Sequence, residues 1–384
     1  MSSITPGWLT GTSAYLTSFS TPGLSSTNFT WEKVKTIDMG VDFGLFSDHL
    51  TGSFDLYQRD TRDILALGAT PLPAALGTSA PLENSASLRS KGYDIELTYS
   101  NNIGKNIHFR VSANLSDNIA YVTKFDGNPN KLLSTYYVGQ KIGEIWGYTS
   151  DGFYGVDDFE KGSLAANLTG GTLLPNRPRF QGENPNPGDV RFKDWNGDGI
   201  VYNGINTKDS AGDFNTIGNS SRRYLFGVNG SVSFKNITFS FALSGVGKQD
   251  LAMANTLILP AYNAYSTIYA HQTNYWTPAN TDSYFGRLYD HGAGNQKFNQ
   301  MMPQTKYLQN GAYLRVNNLT LDYAIPEVLL KRVNISGFHI FCSLENPFLF
   351  DHLPDGIESG LDSQSEGMQY PYLKKTSFGI NLTF

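Results

Sequence analysis

Ile107-His108-Phe109-Arg110-Val111-Ser112-Ala113-Asn114-Leu115-Ser116 alternates apolar and polar residues without a break. A strand sends successive side chains to opposite faces, so Ile107, Phe109, Val111, Ala113 and Leu115 share one face and the polar set the other. The same period recurs along the chain. Ile37, Met39, Val41, Phe43 and Leu45 interleave with Asp38, Gly40, Asp42 and Gly44, and Leu50, Gly52, Phe54 and Leu56 follow. Tyr93, Ile95, Leu97 and Tyr99 oppose Asp94, Glu96 and Thr98. Further on come Tyr224 to Phe234, Ile237 to Leu243, Leu319 to Tyr323, Phe338 to Leu344, and Phe378, Ile380, Leu382 and Phe384. Soluble strands run about 5–6 residues. Several of these are longer, in the range of about 9–11 residues that a tilted strand needs to cross a bilayer. One greasy and one wet face then predict an all-β transmembrane barrel wall, apolar toward lipid and polar toward a hydrated lumen. A soluble β-sandwich alternates too and is the competing reading.

The links between these segments alternate in length. Ser47–His49, Asn101–Asn106 and Lys235-Asn236 are short, whereas 155–221, 248–311 and 347–372 are long, as periplasmic turns and extracellular loops are in such barrels. A further strand pair is expected through Tyr136–Val138 and Ile145–Phe153, joined near Gly143. The total is about eleven strands, an odd number for a self-contained bacterial barrel. Two unpaired outer edges would leave backbone groups unmet in lipid. The expectation is therefore the C-terminal part of a larger barrel, with Met1 not the natural start, residues 1–30 a truncated extracellular segment and 31–384 barrel.

Composition narrows the alternatives. The chain has 384 residues, 29 basic against 34 acidic, and a net charge of -5. Without a cationic surplus, nucleic acid is not an expected partner. Charged residues make up only 16%, and one cysteine, Cys342, excludes a disulfide framework or a Cys-rich zinc site. Mean hydropathy is -0.31 and no run reaches the roughly 18 apolar residues of a spanning helix. The N-terminus lacks the basic start and apolar stretch of a signal peptide.

Ordered motifs from Trp31-Glu32 to Phe384 resemble the SusC/RagA family of TonB-dependent outer-membrane transporters. They include Tyr57-Gln58-Arg59-Asp60-Thr61-Arg62-Asp63-Ile64-Leu65, Lys91-Gly92-Tyr93-Asp94-Ile95-Glu96-Leu97 and Trp146-Gly147-Tyr148 with Asp151-Gly152-Phe153-Tyr154. The most specific are Pro187-Gly188-Asp189-Val190-Arg191-Phe192-Lys193-Asp194-Trp195-Asn196-Gly197-Asp198-Gly199 and Ala312-Tyr313-Leu314-Arg315-Val316 continued through Pro326. The resemblance implies a barrel of about 22 strands with a plug inside it, this chain being its second half. It also implies import of a large nutrient, a glycan or a peptide, with a SusD-like surface lipoprotein as lid. TonB, with ExbB and ExbD, would act through an upstream region absent here. Asn346-Pro347-Phe348 departs from the family's usual Asn-Leu-Phe and is expected to reshape only that strand's exit.

Asp194, Asn196 and Asp198 with Gly199 have the odd-position oxygens and turn glycine of an EF-hand-like loop, but its twelfth position is Ile205. The family's closing acid resembles Asp213, displaced by an insertion. These four residues could hold Ca2+, or form an Asx-rich turn held by its own hydrogen bonds. No other cofactor is expected. Terminal Phe384 resembles the aromatic read by the barrel-assembly machinery. Loop aromatics Trp195, Tyr262, Tyr265, Tyr269, Tyr275 and Trp276 could stack on sugar rings or touch a lid, although local packing is the commoner role of each. The histidines show no metal spacing, no nucleophile elbow or phosphate loop occurs, and Cys342 shares a face with Phe338, Ile340 and Leu344. A transporter without bond chemistry is thus expected, with a soluble carbohydrate-binding or adhesin module next and a β-fold glycoside hydrolase last.

Overall fold

The computed structural model describes residues 3–5, 16–18, 24, 26, 29–68, 72–73, 80–252, 258–262, 267–289, 302–330, 335–354, 357–360, 370 and 372–384. Nine strands form one sheet: β1 (Lys33–Leu45), β2 (Leu50–Leu67), β3 (Leu82–Ile103), β4 (Ile107–Phe125), β5 (Arg223–Phe234), β6 (Ile237–Lys248), β7 (Tyr313–Ala324), β8 (Gly337–Asp351) and β9 (Lys375–Thr383). Their order in the sheet is their order in the chain, an up-and-down meander. Short turns close β1–β2, β3–β4 and β5–β6, and a short link with one helical turn joins β7 to β8. Long links join the remaining pairs, so the alternation expected from sequence is present.

The strands outrun the alternation that announced them. β3 has 22 residues, a length of about 70 Å at about 3.3 Å per residue, against an apolar barrel band about 25 Å tall. β2 likewise runs on well past its alternating stretch, to Leu67.

The sheet has nine strands rather than about eleven among the described residues. Tyr136–Val138 is not a strand. The stretch read as one strand over Ile145–Phe153 divides at Thr149 into Glu144–Tyr148 and Ser150–Phe153, which pair with Phe214–Asn219 and Val190–Phe192. Their backbone groups find partners inside a loop, which alternation over so few residues does not reveal.

Register is fixed by side chains on both faces. In the β5–β6 hairpin Val232 lies opposite Phe239, and Ser233 and Thr238 share a hydroxyl contact of 2.9 Å on the other face. Phe241 covers Gly230, and Phe226 covers Gly245, where a Cβ would run into the ring; aromatic cover of strand glycines pins register. Between β7 and β8 the register shifts at Asn317, opposite Asn346-Pro347. Proline cannot donate to a ladder, and a bulge is where a strand tolerates it. The unusual Pro347 therefore sits inside β8, which continues to Asp351.

The chain forms two compact units. One comprises Met1–Ile37, Gln58–Ser90 and Ala120–Gln140. Its strand segments are tied by Arg89–Asp60 at 2.6 Å and Lys33–Asp63 at 2.8 Å, and Asn128 caps the turn after β4 through Leu132 and Tyr136. The other comprises Asp38–Tyr57, Lys91–Ile119 and Lys141–Phe384. Its two long loops carry most of its buried apolar residues, beside Val246 and Val316 in the sheet and Leu330 in the helical turn. Tyr148, Phe180, Val190, Phe192 and Val201 form one core, Ile258, Leu259, Phe285 and Tyr307 a second, and Tyr154, Phe159 and Leu173 a third.

Candidate functional site

On β6, β7 and β8 the polar set forms a hydrogen-bonded strip. Asn317 donates to Ser244 Oγ at 2.8 Å, Asn318 to Ser343 Oγ at 2.9 Å, and Thr320 shares a hydroxyl contact of 2.9 Å with Ser343. His339 Nδ1 lies 2.8 Å from Asp322. Thr98 and Ser112 repeat the motif between β3 and β4 at 2.8 Å. Hydroxyl and amide groups thus give this face its hydrogen-bonding capacity. Arg223 grips buried Asp117 with two parallel bonds where β5 begins beside β4, the fork geometry that suits arginine to carboxylate.

The opposite set is apolar and open. Val232, Phe239, Leu321 and Ile340, all on inner strands, are 41–52% exposed. Four isolated two-stranded pieces within the loops, and one near the N-terminus, make up the other sheets of the described residues. A sandwich would have buried this face under a second sheet.

The loops between β4 and β5 and between β6 and β7 fold together. Tyr148 N–H donates to Pro303 O at 2.9 Å, and Ser150 and Thr305 meet at 3.0 Å. Arg287 donates to Leu168 O and Asn167 O, both at 2.6 Å, and Tyr289 to Asp189 at 2.7 Å. Lys306 Nζ lies 4.4 Å from the Phe153 ring, and burial lowers its pKa. Burial likewise raises the phenols of Tyr154, Tyr289 and Tyr307 well above the usual range.

Asp194, Asn196 and Asp198 form a hydrogen-bonded turn, and Asp213 binds backbone on either side of it. Asp194 accepts from Gly197 N–H at 2.7 Å and Gly199 N–H at 2.8 Å, Asn196 from Asp198 N–H at 3.0 Å, and Asp198 from Ile200 N–H at 2.8 Å. Asp213, fully buried, accepts from Trp195 N–H at 2.7 Å and Tyr202 N–H at 3.2 Å. The side-chain oxygens are engaged by the turn's own N–H groups. No group of three or more His, Cys, Asp or Glu among the described residues could hold a metal ion.

The loop aromatics separate by environment. Trp276 is buried against Gly188, and Tyr262 and Tyr275 pack on the second core. Trp195 is about half exposed with Lys193 Nζ 3.7 Å above its ring, and exposed Tyr269 stacks on His271. Tyr265 lies outside the described residues. Phe384 follows β9 on the apolar set and is exposed. Sequence reading missed Arg315, buried on the polar set of β7; its place inside the Ala312–Pro326 motif was the available signal.

The model of the family described as TonB dependent receptor-like, beta-barrel, matches residues 4–244. TonB-dependent receptor P3 of Formosa agariphila is 25% identical over 93% of this chain and 34% of its own length. TonB-dependent receptor SusC of Bacteroides thetaiotaomicron is 25% identical over 96% of this chain and 33% of its own length. The chain thus spans about a third of these relatives. Among solved structures, the RagAB peptide importer in its closed-closed state shares the fold, with a TM-score of 0.67 at 19% identity, over 100% of this chain and 38% of that one. The chain belongs to the TonB-dependent receptor-like β-barrel family, and its strands are those of an outer-membrane barrel wall.

Proposed function

We propose that this chain supplies wall and extracellular loops to a SusC-like importer that takes up a large polar nutrient, an oligosaccharide or a peptide. A SusD-like lipoprotein covers the loops, and TonB drives release through parts of the protein beyond this chain. The observation that carries the reading is the inverted exposure of the sheet: Phe239, Leu321 and Ile340 point outward, whereas Ser244, Asn317, Thr320 and Ser343 are linked on the other face. Selectivity in such a passage comes from wall polarity and loop contacts, without bond chemistry.

The test is uptake by cells carrying the complete protein. Labelled oligosaccharide or peptide should accumulate in a TonB-dependent way and stop on deletion of the gene, and a surface lipoprotein should co-purify in detergent. Recovery of the protein in the aqueous fraction without detergent would defeat the reading in favour of a soluble binding module.

A further inference from the structure

On the polar set of β7, Arg315 stands opposite Ser244 of β6 and Leu349 of β8, two residues from the end where the loops attach. It is 7% exposed, and Val246, on the same set, is 2% exposed. Residues that line a hydrated wall are not expected to be buried, so chain must cover this part of it. Part of that cover is the loop after β8. Arg315 Nη1 pairs with Glu358 at 2.8 Å, and Nη2 donates to Ser359 O at 3.0 Å. The guanidinium lies 4.2 Å from the Tyr372 ring. Glu358 also accepts from Tyr372 N–H at 3.1 Å. Ser359, itself buried, donates to Asp351 at 2.7 Å, and Arg222 donates to Gly360 O at 3.2 Å. The Tyr313 ring faces Gly360.

We propose that Arg315 is a selectivity-determining residue of the passage: it pins residues 357–360 onto the wet face and narrows the outer end of the wall at that level. The inference rests on the reading that the polar set lines the passage. Two features give the latch its strength. Charge-assisted bonds from one planar guanidinium reach both a side chain and a backbone carbonyl. Burial makes the pair costly to break from one side, because the remaining charge is left without a partner. Cargo travelling along β6–β8 therefore meets a folded-back segment before it meets Ser244 and Asn317.

The experiment uses the complete transporter in outer membranes with Cys342→Ser and Ser244→Cys, a reporter at the level of Arg315. It is labelled with small and bulky membrane-impermeant maleimides, and folding is checked by heat-modifiable mobility. Phe239→Cys, on the apolar set, is the parallel control. Glu358→Gln should raise bulky labelling of the reporter at least about tenfold, equivalent to about 1.4 kcal/mol of latch lost, with the small reagent changed little. Arg315→Lys, which keeps the charge but loses the fork, should fall between. Equal bulky labelling with and without Glu358→Gln would overturn the latch while leaving the wet wall intact. Labelling of Phe239→Cys but not of the reporter by the small reagent would overturn the wet-face reading, and the latch with it.

Discussion

At the residue scale, Asp213 shows how a loop in this family can be ordered from within. Its carboxylate is fully buried and takes the N–H groups of Trp195 and Tyr202. Asp213→Ala should orphan both, at about 1–3 kcal/mol for each buried unsatisfied group, and should speed proteolysis of the 187–219 segment. Because Asp194, Asn196 and Asp198 already serve the turn's own backbone, we expect a calcium chelator to leave that proteolysis rate unchanged in the parent protein. Acceleration by the chelator would favour the cation reading instead. Asp194, Asn196 and Asp198 were legible in the sequence because Asx spacing around Gly197 and Gly199 is local, whereas Asp213 was reached only through the family resemblance. What their oxygens bind was not legible, since an EF-hand start and an Asx turn use the same residue types over the first turn. Arg315 was illegible for another reason: nothing local links it to Glu358, 43 residues on.

At the scale of the element, the two faces of a strand predict opposite sensitivities. Phe239→Arg places a cation on the open apolar set and should destabilise the complete protein by about 2–4 kcal/mol in urea unfolding from lipid vesicles. Ser240→Arg, one residue away on the polar set, should cost far less. Equal losses would mean that the faces have been assigned wrongly. Alternation made β1 to β9 readable because each face meets a different medium over many residues. It missed the extensions of β2 and β3, where Arg89–Asp60 and Asn84–Thr30 contacts replace the greasy and wet division. It also misread Ile145–Phe153, whose two halves pair with Phe214–Asn219 and Val190–Phe192, partners 37 to 75 positions away.

Across the larger unit, the loops between β4 and β5 and between β6 and β7 form one body with aromatic cores, and Arg287 is a tie between them. Its guanidinium closes the carbonyls of Asn167 and Leu168. Arg287→Ala should therefore raise hydrogen exchange in both loops together, with the β5–β6 hairpin unchanged. A change confined to residues near 287 would show that the loops order separately. The hydrophobic pattern predicted long loops here, but not their mutual packing, which brings Tyr148 to Pro303.

That meeting has a consequence in time. The hairpin β5–β6 lies between the two loops in the chain, so the earlier one cannot complete its packing until the hairpin and the stretch through Thr305 have been laid down. Pairings this distant in sequence form slowly. During biogenesis, resistance of residues 144–219 to external protease should consequently lag behind insertion of the strands, which makes that delay a clock for the final stage of maturation.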